Sequence, residues 1–225
     1  MGQAIGEILP LAIGVALSPV PIIAIILMLG TPRARSTGVA FAVGWLAGLT
    51  IAGAVMLAIA SGNADGSSGE PARWASLLKL GLGILFLLLA GKQWRGRPQP
   101  GQEAAMPKWM QAIDSFTVGK SLGIGVLLSG LNPKNLALTI AAATLIAQAG
   151  LSHGQEAGVL AVFILLASLT ILGPLAIYLA LGARAKQILE GMKAWMSAHN
   201  AAIMTVLLLV LGAKLVGDGI GGLSA

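Results

Sequence analysis

The 225-residue chain lacks cysteine and contains few aromatic and few charged residues. Without cysteine it can form no disulfide, thiolate metal site or thiol redox relay. Its five Trp, four Phe and one Tyr provide no base-stacking platform, so the net charge of +6 does not indicate a nucleic-acid-binding protein. Charged residues make up only 10% of the chain and hydrophobic residues 56%. A soluble domain of this length could not bury that much apolar surface, so the composition predicts a membrane protein.

The sequence also lacks the short motifs of common hydrolases and nucleotide-binding enzymes. It contains no HExxH, Walker A or GxSxG motif and no cluster of metal-ligating residues. Its two histidines, His153 and His199, are far apart in sequence and fall in predicted loops. We therefore expect the chain to have no enzymatic activity and to bind no cofactor or metal.

Six apolar segments are long enough to cross a membrane, which takes about 20 residues per helix. They are residues 8–30, 37–60, 74–91, 119–149, 157–182 and 200–217. Barrel strands would be about ten residues long and would alternate apolar with polar side chains, so these continuous runs indicate helices. The first residues contain no basic stretch and no small-residue cleavage site, so the first segment is expected to stay in the protein. The predicted fold is an all-α integral membrane protein with six transmembrane helices.

The loops between these segments differ in charge, and the difference predicts their orientation. Basic residues are concentrated in the first, third and fifth loops, at 31–36, 92–120 and 183–199. The second and fourth loops, 61–73 and 150–156, contain more acidic than basic residues. Because basic loops tend to stay in the cytoplasm, we predict a multi-pass protein of the cell membrane with both termini outside.

The sequence repeats itself across its two halves. Residues 13–18 (IGVALS) in the first segment match residues 124–129 (IGVLLS) in the fourth. Residues 46–53 (LAGLTIAG) in the second segment match residues 166–173 (LASLTILG) in the fifth. Each half contains three spans, an odd number, so the second half must enter the membrane from the opposite side. Two inverted three-helix repeats are typical of secondary transporters.

The repeat divides the chain into three parts. Residues 1–91 form the first three-helix repeat and residues 119–225 the second. Residues 92–118 between them are predicted to form a cytoplasmic loop with a short amphipathic helix in the membrane interface, because Trp109 and Ile113 belong to an apolar pattern of helical spacing. A linker anchored by Trp109 is the alternative.

Prolines stand near the middle of the first span of each half, where residues 18–21 read SPVP and residues 129–135 read SGLNPKN. Proline removes a backbone donor and clashes with the preceding turn, so both helices should break there, freeing carbonyls before the break and amide donors after it. Irregular backbone in a membrane must face protein or a wet cavity, so we predict one polar substrate site where the breaks meet. A simple kink at each proline is the alternative. The residues of the candidate site are Ser18, Pro19, Pro21, Ser129, Asn132, Pro133, Lys134 and Asn135.

Lys134 is the central residue of this prediction, because an ammonium deep in a bilayer costs about 3 kcal/mol. Glu7, Glu156 and Asp218 fall near span ends, so no carboxylate is expected at its depth. An ammonium, side-chain amides and helix N-termini together favour an anionic substrate group such as a carboxylate, phosphate or sulfate. The alternative is a structural lock in which Lys134 neutralises carbonyls at a helix break.

Gly44 and Gly48 form a small-xxx-small pattern in the second span. This pattern predicts that another helix packs closely on this face. The sequence leaves open whether the chain also forms a homodimer.

The boxes at 18–21 and 132–135, the six-span inverted layout and the stretch 107–117 resemble the lysine exporter superfamily. Within that superfamily the chain is most similar to the GAP family, the glycopeptidolipid- and sulfolipid-addressing proteins of actinobacterial membranes. The resemblance covers nearly the whole chain. It implies secondary export and, for the closer family, delivery of lipids or glycolipids to the cell surface.

The leading functional prediction is a secondary exporter of a lipid, glycolipid or other anionic amphipathic substrate. It would work by alternating access around the proline-broken first and fourth helices, with the lipid bilayer and the substrate as its partners. One alternative is an accessory scaffold of a lipid-export complex that transports nothing itself. Another is an exporter of a small amino acid or cation.

Overall fold

The computed structural model of the protein describes residues 1–64, 73–96 and 112–224, and all regular secondary structure in these ranges is helical. The helices are α1 (Gly2–Ala16), α2 (Pro19–Leu29), α3 (Ala34–Ala64), α4 (Arg73–Arg95), α5 (Val118–Val126), α6 (Pro133–Gln148), α7 (His153–Leu181) and α8 (Ala185–Ser224). A π-helical turn, Leu127–Leu131, follows α5, and short 3₁₀ turns at Ile113–Ser115 and Gly182–Arg184 precede α5 and α8.

Four helices in the described part of the chain are long and apolar enough to cross a membrane. They are α3, α4, α7 and α8. Helices α1 and α2 are bent by 53° at their junction and would make a fifth crossing if they form one span. The predicted fourth span, residues 119–149, is divided at Asn132 into two shorter helical pieces. The first piece, Val118–Leu131, is apolar but shorter than the 18 residues of a full membrane span. The chain is therefore a multi-pass helical membrane protein in contact with lipid.

The predicted loop at residues 183–199 is wrong, because all but its first two residues belong to α8. Its Ala, Lys, Gln, Leu, Glu and Met residues favour a helix, and Lys186 pairs with Glu190 one turn later at 4.0 Å. The 40 residues of α8 span about 60 Å at 1.5 Å per residue, about twice the thickness of the hydrocarbon core. The last predicted span is therefore part of a longer helix.

Most of the predicted interfacial helix within residues 92–118 lies outside the described residues. The described end of this segment contains the 3₁₀ turn Ile113–Ser115. Ile113 and Phe116 are buried in the hydrophobic core, so this end of the segment packs against the helix bundle.

The helices pack in three main groups. Helix α4 runs along α8, α3 packs on α5 and α6, and α1 packs on α6 and α7. Large buried side chains such as Trp45, Phe86 and Phe163 fill the interior. Helices α1 and α6 thus lie side by side in the bundle, which brings the two proline boxes together.

Helices α3 and α5 approach each other through glycines, as the small-xxx-small pattern predicted. A Cβ atom added at Gly44 would overlap the Leu122 carbonyl, and one added at Gly125 would overlap the Phe41 carbonyl. A Cβ atom at Gly48 would overlap Ser129 Oγ. The prediction of close helix packing at Gly44 and Gly48 is confirmed.

We expect Gly48→Ala to destabilise the protein by about 1–3 kcal/mol, the usual cost of overpacking a core. The matched control is Gly81→Ala on α4, where an added Cβ has no atom within 4 Å. This control should be neutral or slightly stabilising, because alanine is the better helix former. Thermal unfolding in detergent would measure both, and equal melting temperatures for the two variants would contradict the assigned packing.

Candidate functional site

The first proline box ends helix α1 and leaves backbone carbonyls without helical partners. The last helical bond is the one from Leu17 N to Ile13 O at 2.8 Å. Pro19 has no N–H, so it cannot donate to the Val15 carbonyl as a helical residue would. The carbonyls of Gly14, Val15 and Ala16 must therefore be satisfied by other groups.

Three side chains satisfy these three carbonyls. Lys134 Nζ donates to Gly14 O at 2.6 Å. Ser18 Oγ lies 2.7 Å from Val15 O, and Thr170 Oγ1 donates to Ala16 O at 2.5 Å. The donors come from α6, from the break itself and from α7, so the broken end of α1 is bound from two other helices.

The second proline box also breaks its span, through the π turn Leu127–Leu131 and an extended residue, Asn132. The Asn132 side chain caps α6 by accepting from Lys134 N at 3.1 Å. Asn135 Nδ2 donates back to Leu128 O at 2.9 Å. Ser129 Oγ bonds Val126 O at 3.2 Å, so the side chains of this box also satisfy carbonyls that the break releases.

The two breaks meet at the hydroxyl of Ser18. Ser18 Oγ accepts from Lys134 Nζ at 2.6 Å and has a second acceptor for its proton in Asn135 Oδ1 at 3.1 Å. Ser18, Lys134 and Asn135 are only 3%, 8% and 0% exposed. The structure thus encloses the lysine amino group between α1 and α6, with oxygen acceptors that are a carbonyl and a hydroxyl.

A cavity of about 170 Å³ opens beside this cluster. It is lined by Ser18, Pro19, Val20, Pro21, Gln93, Asn132, Lys134, Asn200 and Met204. Five of the eight residues predicted from sequence are among them. Ser129 and Asn135 are buried outside the lining, and Pro133 is exposed on another surface. We call this space the Lys134 cavity.

Helix N-termini contribute less to the cavity than the sequence suggested. Pro19 and Pro21 leave Val20 as the one residue with an N–H among the first three of α2. At the start of α6, Lys134 N is bound by the Asn132 side chain and Leu136 N by the Asn132 carbonyl. At these positions the backbone amides are absent or already bound, so the Lys134 side chain is the main donor identified at the cavity.

Sequence reasoning missed three residues of this region. Gln93 and Asn200 lie near the ends of apolar segments, where hydropathy assigns polar side chains to the membrane surface. Thr170 lies inside the second repeat box and could have been found as a hydroxyl in an otherwise apolar run. The structure places Gln93 and Asn200 in the lining and Thr170 on the broken end of α1.

A second polar cavity, of about 330 Å³, lies at the opposite ends of the same helices. Its lining includes Gln3 and Glu7 on α1, Lys79 on α4 and Gln148 on α6. Lys79 Nζ donates to Gln148 Oε1 at 2.8 Å. We call it the Lys79 cavity. The 14 residues from Lys79 to Gln93 along α4 correspond to about 21 Å of helix, which separates the two cavities.

Buried apolar side chains fill the space between the two cavities. Leu11 and Val15 on α1, Phe86 on α4 and Leu138 on α6 are at most 1% exposed. A solute could not pass between the cavities in this conformation. Within the described part of the chain, no group of three His, Asp or Glu side chains is placed to hold a metal ion.

Comparison with known proteins identifies the family. No curated protein and no solved structure matches the chain significantly. One protein-family model, described as Sap, sulfolipid-1-addressing protein, matches residues 8–221, which include both proline boxes and the whole lining of the Lys134 cavity. Because this match covers nearly the whole chain, the multi-pass helical protein with two broken helices at a buried lysine belongs to the sulfolipid-1-addressing protein family.

Proposed function

We propose that this protein is a secondary transporter that exports a lipid, glycolipid or other anionic amphipathic substrate by alternating access. The observation that carries the proposal is the buried Lys134 side chain, held between two broken helices next to a cavity. The family match supports a lipid-related role. The resemblance to lysine exporters adds the expectation of secondary transport.

The helix contacts support six crossings arranged as two inverted halves. In this arrangement α1 with α2 is the first crossing and α5 with α6 is the fourth. The broken crossing of each half packs against the second crossing of the other half, α1 on α7 and α5 with α6 on α3. The third crossings, α4 and α8, pack on each other. Reciprocal contacts of this kind are expected of two halves related by a twofold axis.

The hydrogen bonds of Lys134 leave room for a substrate. A lysine ammonium has three donors, and two are directed at Gly14 O and Ser18 Oγ. The side chain lines the Lys134 cavity, so an anionic group there could accept from the third donor. A charged acceptor forms a stronger bond than a carbonyl, so a bound anion would compete with Gly14 O for the lysine.

The same arrangement disfavours a cationic substrate. Among the described residues that line the Lys134 cavity there is no Asp or Glu, and the lysine itself would repel a metal ion or an amine. Divalent cations require oxygen ligands, preferably carboxylates. The exporter of a small cation is therefore the weaker alternative.

The two cavities suggest how access alternates. With the predicted orientation, the Lys134 cavity faces the cytoplasm and the Lys79 cavity faces the outside. An anion that draws Lys134 away from Gly14 and Ser18 would weaken the tie between α1 and α6. These helices could then separate at the apolar barrier and open the path toward the Lys79 cavity, as in other transporters with broken helices.

We expect Lys134→Met to abolish transport while leaving the protein folded. The substitution leaves the Gly14 carbonyl unpaired, at about 1–3 kcal/mol, but also removes a charge whose burial costs about 3 kcal/mol, so the two effects offset each other. The measurement is export of radiolabelled anionic lipid from vesicles containing the purified protein. Lys120→Met, at an exposed lysine near the start of α5, is the matched control and should transport normally.

Full transport by Lys134→Met would remove the role assigned to this residue. No flux from the intact purified protein would favour the accessory scaffold, because a scaffold requires a partner for transport. Flux in the absence of any partner would exclude the scaffold. Unfolding of Lys134→Met in a thermal melt would instead support the structural lock.

The absence of cysteine allows the two cavities to be tested by single-cysteine labelling without background. We expect Gln93→Cys to react with a membrane-impermeant thiol reagent applied from the cytoplasmic side. Gln3→Cys, in the Lys79 cavity, should react from the outside. Reaction of both from the same side would contradict cavities that open to opposite faces.

A further inference from the structure

A long apolar groove runs between α1 and α8, separate from both polar cavities. Its volume is about 780 Å³. One wall is formed by Gly6, Leu9, Pro10, Ile13, Gly14 and Leu17, and the other by Ala202, Ile203, Val206, Leu207, Val210 and Leu211. Both walls repeat at helical spacing, so the groove follows the two helix axes.

The length of the groove matches one leaflet of a bilayer. From Gly6 to Leu17 is about 16 Å along α1, and from Ala202 to Leu211 is about 14 Å along α8. The hydrocarbon core is roughly 30 Å thick, so the groove covers about half of it. Helix α8 is itself a candidate membrane span, so we expect this groove to face the lipid acyl chains.

One end of the groove is polar, and the middle of the groove passes the residue that binds the buried lysine. Gln3 lies one turn before Gly6 on α1 and lines the Lys79 cavity. Lys214 lies one turn beyond Leu211 on α8 and pairs with Asp218 at 2.6 Å. Between its two ends the groove is lined by Gly14, which faces the Leu211 side chain and whose carbonyl accepts from Lys134. A polar end, an apolar body of one leaflet's length and a side opening to the bilayer fit a lipid molecule.

We infer that the α1–α8 groove binds an acyl chain of a membrane lipid whose headgroup lies at the Lys79 cavity, so that the lipid passes sideways between α1 and α8. The inference rests on the proposed function and specifies where its substrate meets the bilayer. Helix α1 contributes to the Lys79 cavity, to the cluster around Lys134 and to the groove, so a shift of α1 would move all three together.

The walls of the groove favour an acyl chain over a helix of another protein. Membrane helices associate through small residues that let their backbones approach. Beside the small residues Gly6 and Ala202, the exposed residues of this groove are large aliphatics, with Val206 and Val210 both 61% exposed and Ile13 53% exposed. A flexible chain can follow such a surface, whereas a helix would be kept at a distance.

The glycine at the polar end of the groove allows a direct test. A Cβ atom added at Gly6 has no atom within 4 Å, so Gly6→Trp should fill the groove without disturbing the fold. Gly81→Trp on α4 is the matched control, because Gly81 is also exposed and also has open space at its Cβ position. Both variants and the unmodified chain would be placed in vesicles of phosphatidylethanolamine and phosphatidylglycerol, with a diazirine in one acyl chain of the phosphatidylglycerol.

The measurement is photo-crosslinking followed by mass spectrometry of the labelled peptides. We expect residues 202–211 to be labelled more than the lipid-exposed face of α3 around Ile51 and Val55, which are 61% and 48% exposed. Gly6→Trp should reduce the labelling of 202–211 to the level of the α3 face, and Gly81→Trp should leave it unchanged.

Equal labelling of the groove and the α3 face, or labelling that Gly6→Trp does not change, would overturn the inference. A disulfide between two copies of a Val206→Cys variant in the same vesicles would overturn it as well, in favour of a dimer interface. The labelling of the groove is also measured in the Lys134→Met variant, so that lipid binding in the groove can be separated from transport. If the groove is labelled but the intact protein transports no lipid, the transport proposal is refuted and the lipid site stands. If the intact protein transports lipid but the groove is not labelled, only the lipid site is refuted.

Discussion

The carbonyl groups of Gly14, Val15 and Ala16 set the central constraint on this structure. The Val15 carbonyl loses its helical partner because Pro19 has no N–H, and those of Gly14 and Ala16 lose theirs because the chain leaves the helix after Leu17. A membrane interior supplies no bulk water to take their place. Each carbonyl must therefore be bound by a side chain, and two of the donors come from α6 and α7. The break in the first span is thus what ties α1 to the other half of the molecule, and the Lys134 cavity lies where that tie is made.

The proposed mechanism uses the same lysine for two purposes. In the described conformation Lys134 stabilises the broken end of α1, and in the transport cycle it would bind the anionic group of the substrate. A bound anion could accept from the third donor and, as the stronger acceptor, would compete with Gly14 O, so we propose that substrate binding weakens the contact between α1 and α6. This competition couples binding to opening without a separate switch. It also explains why a carboxylate next to Lys134 would be unfavourable, since a fixed ion pair would hold the helices together.

Helix α1 connects the polar and apolar surfaces of the molecule. One of its faces lines the Lys79 cavity, another forms a wall of the apolar groove, and its end forms part of the lysine cluster. An amphipathic substrate needs contact with both kinds of surface, and a small helical bundle can provide them side by side on one helix. The barrier of buried apolar side chains between the cavities lies on a further face of α1. Movement of this single element would therefore affect every surface that the substrate is proposed to contact.

The sequence by itself determined the helical membrane class and the positions of the proline breaks, and it singled out Lys134 as the candidate central residue, because hydropathy, proline chemistry and the cost of a buried charge are local properties. It also predicted the close approach at Gly44 and Gly48 from spacing alone. Only the tertiary structure decided what Lys134 binds, because Gly14 and Ser18 are more than a hundred residues away. It also decided that Gln93, Asn200 and Thr170 belong to the site, since hydropathy assigns the first two to the membrane surface and cannot place a lone hydroxyl. That Asn132 binds the backbone amides of Lys134 and Leu136 is likewise a matter of capping geometry that only the folded chain reveals.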